Sequence, residues 1–183
     1  ETSTDETATI AIDSVSGGSA AENGTQSVTI TITENESAPT VTLAVSATSI
    51  AENAGSSLTL TATLSGTTSQ DVTVSLSSSS SATEGTDYGT VSDITITSGS
   101  TTGTASFTPT DDSLYDAASN ETAIIAISGV SGGGATESGT QAVTITITDN
   151  ESAPTVTLTT SATSIAENAG SSLTLTATLS GTT

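Results

Sequence analysis

Residues 58–64 read Leu-Thr-Leu-Thr-Ala-Thr-Leu, and this stretch decides the fold. Apolar and hydroxyl side chains alternate strictly along it, which is the pattern of a β-strand with one buried face. The same alternation returns at residues 72–76, Val-Thr-Val-Ser-Leu, and at residues 143–147, Val-Thr-Ile-Thr-Ile. No segment has the spacing of an amphipathic helix, so the sequence predicts an all-β protein.

The sequence is a tandem repeat with an offset of 115 residues. Residues 46–68 recur unchanged as residues 161–183, and the first 68 residues share 53 identities with the last 68. A repeat of this length matches one β-sandwich domain rather than a solenoid rung or a propeller blade. Pro39 and Pro154 mark the boundaries, because proline cannot donate to a strand ladder. Within a longer repeat protein, we therefore expect residues 1–37 to be the C-terminal part of one repeat, 38–152 a complete sandwich, and 153–183 the N-terminal part of the next.

Seven strands are predicted in the complete repeat, separated by turns rich in Gly, Ser and Thr. They cover residues 40–50 (strand A, broken near Ser46), 56–64 (B), 70–77 (C), 91–97 (D), 101–108 (E), 121–128 (F) and 140–148 (G). The predicted architecture is an antiparallel sandwich of the immunoglobulin-like type, with one face of each strand in the core.

The composition excludes several classes of function. The 183 residues contain 20 acids and no Lys, Arg or His, for a formal net charge of −20. Without basic residues the chain cannot neutralise phosphates, so nucleic acid is excluded as a partner. No apolar run approaches the length that spans a bilayer, so we expect no membrane insertion by this segment. A Ser or Thr nucleophile would lack any His or Lys base, and we expect no enzymatic activity.

The acids are concentrated in loops at one end of the predicted sandwich. If the strands alternate up and down, the A–B, C–D and E–F loops and the end of strand G lie at one end of the sandwich, and the other loops lie at the opposite end. The first end is predicted to carry eight acids: Glu52, Glu84, Asp87, Asp111, Asp112, Asp116, Asp149 and Glu151. The opposite end has only Asp71 and Glu137. Such crowding without a base favours a bound cation, and ligands that are all oxygen favour Ca²⁺ over Zn²⁺ or Mg²⁺.

Five motifs in this order resemble the Calx-beta family, whose sandwich repeats occur in tandem in many secreted bacterial surface proteins. They are Ala51-Glu52-Asn53-Ala54-Gly55, Ala82 to Tyr88, Asp111-Asp112-Ser113-Leu114, Asn120-Glu121-Thr122 and Thr146 to Glu151. The resemblance implies a calcium site whose ligands are drawn from Glu52, Asp87, Asp111, Asp112, Asp116, Asp149 and Glu151. Family members often carry more acids where this chain has Tyr115, Ala117, Ala118 and Ser119, and three aspartates where it has Asp149-Asn150-Glu151. These departures imply fewer ions or weaker binding here.

The function expected from these features is a structural one. The abundance of Ser and Thr and the lack of Lys indicate an exported chain, on the cell surface or in the extracellular medium. We interpret it as a stalk or filament segment that is made rigid by Ca²⁺ at the junctions between neighbouring repeats of the same chain. Two alternatives remain open, namely an adhesin repeat that itself binds a glycan or protein, and a self-assembling extracellular filament in which copies of the chain contact one another.

Overall fold

The computed structural model describes residues 5–33, 35, 37–115, 120–168 and 170–181. Across these ranges every regular element is a strand, which confirms the all-β prediction, and none of the described segments is a helix long and apolar enough to cross a membrane. The strands are β1 (Glu6–Ala11), β2 (Ser27–Ile32), β3 (Thr40–Val45), β4 (Ser49–Ala51), β5 (Leu58–Leu64), β6 (Val72–Ser79), β7 (Ile94–Ile96), β8 (Thr102–Phe107), β9 (Glu121–Ser131), β10 (Thr136–Glu137), β11 (Ala142–Thr148), β12 (Val156–Thr160) and β13 (Leu175–Leu179).

Strands β3 to β11 form the predicted sandwich. One sheet has the order β10-β3-β5-β8 and the other has the order β4-β11-β9-β6-β7. Their inner faces share a single hydrophobic core. The predicted break of strand A near Ser46 is the point at which the chain leaves the first sheet, after β3, and joins the second sheet with β4. The remaining strands form two separate hairpins, β1–β2 and β12–β13.

The alternation of apolar and hydroxyl side chains at residues 58–64 determines which of them enter the core. Leu58, Leu60, Ala62 and Leu64 are all 9% exposed or less, while the threonines between them face outward or are half-buried. At the centre, the rings of Tyr88 and Phe107 stack with their centroids 4.7 Å apart and an angle of 27° between their planes. Both rings are almost completely buried. The rest of the core is aliphatic and made of small side chains, as the sequence predicts.

Two short parallel pairings supplement the antiparallel ladders. Strand β10 pairs with the start of β3, and β4 pairs with the end of β11, where Ala51 lies opposite Thr148. The sequence predicts neither pairing, because alternation gives the face of a residue but not the direction of its neighbour. As a consequence β4 and β11 end side by side, and the residues that follow them leave the sheet at the same end of the sandwich.

The opposite end carries Asp71 and Glu137, as predicted, and both stabilise turns. The Asp71 carboxylate accepts a hydrogen bond from the Ser98 amide at 2.8 Å, and Glu137 accepts one from the Gln141 amide at 2.5 Å. Gly132, with φ +92°, packs so closely that an added Cβ would lie 2.1 Å from the Asp71 carbonyl oxygen. The acids at this end therefore already serve as local hydrogen-bond acceptors.

Candidate metal centre

Three strand ends of the second sheet bring acids together at the other end of the sandwich. Glu52 follows β4, and its amide donates to the Thr148 carbonyl at 3.1 Å. Asp149 follows β11 directly. Glu121 is the first residue of β9 and lies opposite Ile147 in β11. The parallel β4–β11 pair and the antiparallel β9–β11 pair therefore place these three residues around one edge.

Two loops complete this end. Strand β8 finishes at Phe107, opposite Leu58 in β5. The residues that follow lie beside the A–B loop, where the hydroxyl oxygens of Thr108 and Ser57 are 2.7 Å apart. The amide of Thr110 donates to the Asp87 carbonyl at 3.0 Å, which ties the loop after β8 to the loop after β6. These contacts carry Asp87 and its neighbours Asp111 and Asp112 to the same edge as Glu52.

We call this group of seven carboxylate residues the acidic end: Glu52, Asp87, Asp111, Asp112, Glu121, Asp149 and Glu151. Within the acidic end, the carboxylates form two subsets whose members lie close together. Carboxylate oxygens of Glu52, Asp111 and Glu151 all lie within 4.8 Å of one another. A cavity of about 10 Å³, enough for the centre of one water molecule or small ion, is lined by five of the acids together with Thr110 and Asn120. Glu52 belongs to both subsets and links them.

Short turns fix several of these carboxylates. One oxygen of Asp87 accepts the Thr83 amide at 2.6 Å, and one oxygen of Asp112 accepts the Leu114 amide at 2.6 Å. The Asp149 carboxylate accepts the Glu151 amide at 2.7 Å. In the last two contacts the short Asp side chain reaches the backbone two residues ahead, as is usual in turns, whereas Asp87 reaches back four residues to Thr83. The loops therefore hold the acids in defined positions before any ligand arrives.

Glu151 has the most unusual environment at the acidic end. Its Oε1 accepts the Asn150 side-chain amide at 3.1 Å, whereas its Oε2 is buried without a hydrogen-bond donor, the only such side-chain atom in the described part of the chain. Buried polar atoms are normally paired, so an unpaired carboxylate oxygen requires an explanation. A cation or a proton at this position would provide one.

Neighbouring acids favour the proton in the absence of metal. A hydrogen bond to Glu52 is available only when Glu151 is protonated, and this bond, the loss of solvent and the charges of Glu52 and Asp149 raise the pKa of Glu151 from 4.5 to about 7. Since both groups accept and neither donates when ionised, the charged form of Glu151 leaves its Oε2 unpaired. A divalent cation would compete for the same position and displace the proton.

This raised pKa gives a testable pH dependence in metal-free protein. Because folded Glu151 holds its proton more tightly than the unfolded chain does, its contribution to stability is complete below pH 4.5 and is lost as the pH rises to about 7. We therefore expect the midpoint of thermal unfolding in EDTA to fall across this window. Glu151→Gln should flatten the fall, and Glu137→Gln at the opposite end should preserve it. An equal slope in both variants would contradict the assignment.

The structure brings together six of the seven residues predicted as ligands. The exception, Asp116, lies outside the described residues. Glu84, which was predicted at this end but not as a ligand, binds the Ser78 hydroxyl at 3.0 Å beside β6 and lines neither the cavity nor the three-carboxylate group. Glu121 is absent from the predicted ligands, although its motif Asn120-Glu121-Thr122 contributes to the family resemblance. The prediction is drawn from acids in loops, and Glu121 begins strand β9.

The donor chemistry fits a hard cation. The chain has no His or Cys, so carboxylate, hydroxyl and carbonyl oxygens are the only ligands available. Oxygen ligands in irregular loops suit Ca²⁺, which accepts six to eight of them in flexible geometry. No internal base exists to pair with the acids, so protons and external cations are what can neutralise them.

Comparisons with known proteins bear on the fold. No protein-family model and no curated protein matches the sequence. Among solved structures, the apo-form Calx CBD1 domain has 17% identity and a TM-score of 0.50, and the match covers 61% of this chain and 99% of that one. CBD12 from CALX1.2 has 19% identity and a TM-score of 0.47, covering 56% of this chain. A two-domain protein of unknown function from Bacteroides fragilis NCTC 9343 has 9% identity and a TM-score of 0.46, covering 68% and 55% of the two chains.

The chain spans 41% of the length of CBD12 from CALX1.2 but almost the whole of the CBD1 domain. At 17% identity the match to CBD1 shows the fold alone. At that level it confirms the resemblance inferred from the five motifs. The chain therefore contains a β-sandwich with the fold of a Calx-beta domain.

Proposed function

We propose that the acidic end binds Ca²⁺ and that the bound ion stabilises the sandwich and fixes its junction to the following repeat. The proposal rests mainly on the proximity of Glu52, Asp111 and Glu151, where a buried carboxylate oxygen has no donor. Glu52, Asp111 and Glu151 would hold one ion, and the cavity that shares Glu52 offers a second position. We expect an affinity of about 10⁻⁴–10⁻³ M, typical of extracellular calcium modules.

A calcium titration followed by NMR tests the binding site residue by residue. Amide signals of Glu52, Thr110 and Asn150 should shift with rising CaCl₂, while those of Ser98 and Gln141 at the opposite end should not. Glu52→Gln removes the residue common to both subsets and should weaken binding at least tenfold. Glu137→Gln removes the same charge from the opposite end and should leave binding unchanged. Shifts spread evenly over both ends, or equal affinity in both variants, would show diffuse counterion binding instead.

The junction is the second part of the proposal. Glu151 is followed by Ser152, Ala153, Pro154 and Thr155, and β12 begins at Val156. A residue of the three-carboxylate group therefore lies directly beside the linker. An ion held by Glu151 and by Glu52 of the sandwich would restrain the first residue of that linker. In a chain of many such repeats, this restraint would give a stiff stalk or filament on a cell surface.

Small-angle scattering tests the stiffening. We expect Ca²⁺ to narrow the distribution of interatomic distances of the chain relative to EDTA, because a restrained linker samples fewer orientations. Mg²⁺ at the same concentration should have a smaller effect, since it requires a stricter octahedral site. Equal flexibility with and without Ca²⁺ would refute the stiffening of the linker. It would not contradict Ca²⁺ binding at the acidic end, which the NMR titration tests separately.

A further inference from the structure

Strand β8 is the longest free edge of the complete sandwich. It ends the sheet of order β10-β3-β5-β8, and β5 is its only partner among the described strands. The other three edge strands are short, since β10 has two residues and β4 and β7 have three each. A short edge offers few backbone groups to a neighbouring chain, whereas a long one is a template for further pairing. With six residues, β8 is therefore the edge to which another strand can be added.

The pairing of β8 with β5 determines which backbone groups face outward. The Leu64 amide donates to the Thr101 carbonyl at 2.8 Å, so Thr101 and every second residue after it face β5. The amides and carbonyls of the residues in between, Thr102, Thr104 and Ser106, consequently point away from β5. All three residues are exposed. The edge thus presents a row of backbone donors and acceptors to the surroundings.

The devices that usually protect an edge strand are absent from β8. Lys, Pro and bulges prevent unwanted pairing on many natural edges. The side chains of β8 are Thr, Gly, Ala, Ser and Phe, and its register with β5 is regular over all six residues. The edge closes only beyond the strand, where the Thr108 carbonyl accepts the Gly89 amide at 2.9 Å and Pro109 follows. Asp93, which precedes the neighbouring edge strand β7, is held against β6 by the Leu76 amide at 3.0 Å.

The distribution of charge favours one partner and one direction. Strand β8 starts four residues after Ser98, whose amide binds Asp71 at the opposite end, and it finishes four residues before Asp111 at the acidic end. A parallel neighbour from a second copy would set two acidic ends side by side. An antiparallel neighbour separates them by the length of the sandwich. In a chain with a net charge of −20, the uncharged strand β8 is also a suitable partner for itself.

We infer that β8 of one copy of this chain pairs in antiparallel fashion with β8 of a second copy. A twofold axis at Thr104 places Thr102 opposite Ser106 and keeps the hydroxyl side chains of both strands on one face. Each of the three residue pairs so formed exchanges two backbone hydrogen bonds, about six in all. The contact is isologous, so it closes as a dimer in which the two sheets that end in β8 become one continuous sheet.

A single contact of this kind is weak. Its hydrogen bonds replace bonds to water, and the two copies repel each other through their net charges. Salt screens this repulsion, so association should strengthen with ionic strength. The chain contains residues 69–115 once and therefore has one β8. In a longer protein each complete repeat would contribute one such edge, and side-by-side chains would be joined at many points. This inference is independent of calcium and goes beyond the proposed function.

Sedimentation velocity of the full chain in EDTA tests the inference, because chelation removes any cation bridge between acidic ends. We expect the weight-average mass to rise with protein concentration and with NaCl. Thr104→Pro removes the central outward donor but no bond to β5, and Pro is tolerated on such an edge, so this variant should dimerise at least tenfold more weakly. Thr104→Val keeps the amide and should dimerise as the unmodified chain does. A folded Thr104→Pro protein that dimerises normally would overturn the inference.

Cross-linking tests the register without relying on the Pro variant. Because the chain has no Cys, Thr104→Cys introduces a single thiol. In the inferred dimer the two Cα atoms at this position lie about 5.5 Å apart, and a short bifunctional maleimide should join them. Thr61 lies opposite Thr104 in β5, on the same face. In Thr61→Cys the corresponding separation is about 14 Å, and cross-linking should be at least tenfold slower.

Two further results would contradict the pairing of β8 with itself. Equal rates of cross-linking in Thr104→Cys and Thr61→Cys would show that the copies meet only by random collision. An unmodified chain that stays monomeric up to about 1 mM would also overturn the inference. The edge of β8 would then remain open to an extended segment of a different protein.

Discussion

Calcium is expected to raise the midpoint of thermal unfolding of the metal-free chain by on the order of 10 °C. A ligand that binds only the folded state at 100 times its Kd contributes about 2.7 kcal/mol, and each kcal/mol shifts the midpoint of a domain of this size by about 4 °C. The shift should grow with CaCl₂ concentration. NaCl at the same ionic strength should not reproduce it, which distinguishes binding from a general salt effect. Melts in EDTA and in rising CaCl₂, monitored by circular dichroism, measure the shift.

The double variant Asp111→Asn with Asp112→Asn should lose most of this shift. In EDTA the same variant should melt at a higher temperature than the unmodified chain, because it removes two of seven crowded like charges at the acidic end. Asp71→Asn with Glu137→Gln removes the same charge from the opposite end and should keep the full calcium response. A calcium shift that is equal in both double variants would contradict binding at the acidic end.

Truncation of Phe107 is expected to cost about 3–5 kcal/mol of unfolding free energy, as large-to-small changes of buried aromatic residues do. The ring is fully buried and stacks on Tyr88 in a core that is otherwise aliphatic, so neighbouring side chains are too small to fill the cavity. Urea unfolding of Phe107→Ala in EDTA measures the loss. Leu114→Ala, a truncation at a position that is 46% exposed, should change stability by less than about 0.5 kcal/mol.

The Phe107 variant also links the core to the acidic end. Asp87 directly precedes Tyr88, and Thr110, which bonds to Asp87, lies three residues after Phe107. Loss of the ring stack should therefore weaken calcium binding as well as stability. Undiminished affinity in a folded Phe107→Ala protein would show that the loops hold the carboxylates without help from the stack.

Strand positions were predictable because alternation reports directly on burial. Leu58 to Leu64 needed no knowledge of their partners to be assigned to a half-buried strand, and all four apolar side chains are in the core. The direction of pairing was not predictable in the same way. Strand β4 has only three residues, too few to show a period, and β10 has two. Their parallel pairing depends on contacts with residues 96 or 97 positions away along the chain.

The end of the sandwich at which each acid lies was predictable from the up-and-down alternation of the strands. Which of these acids lie close to one another was not predictable. The alternation of strands placed Glu84 and Asp112 at the same end. However, the Glu84 carboxylate accepts a hydrogen bond from the Ser78 hydroxyl in β6, while Asp112 lines the cavity. The difference arises from the turn at Thr83 to Tyr88, where the Gly85 amide donates to the Tyr88 carbonyl at 2.7 Å. Conversely, Glu121 reaches the cavity through its pairing with Ile147, which the linear sequence does not display.

The parallel pairing of β4 with β11 also determines how the sandwich carries a tensile load. The chain enters at Thr40, beside the opposite end, and leaves after Thr148, at the acidic end, so a pull on both sides draws β4 and β11 in opposite directions along their length. Two cross-strand hydrogen bonds resist this motion: the Thr146 amide donates to the Thr48 carbonyl at 2.9 Å, and the Glu52 amide donates to the Thr148 carbonyl at 3.1 Å. Both lie perpendicular to the direction of the pull, so they are loaded together, in shear. Strands separated in shear must break all their cross-strand bonds at once, whereas an unzipped hairpin breaks them one by one. Strands β4 and β11 thus form a mechanical clamp. Glu52, whose amide makes one of its cross-strand bonds, is also the carboxylate shared by the two subsets of the acidic end.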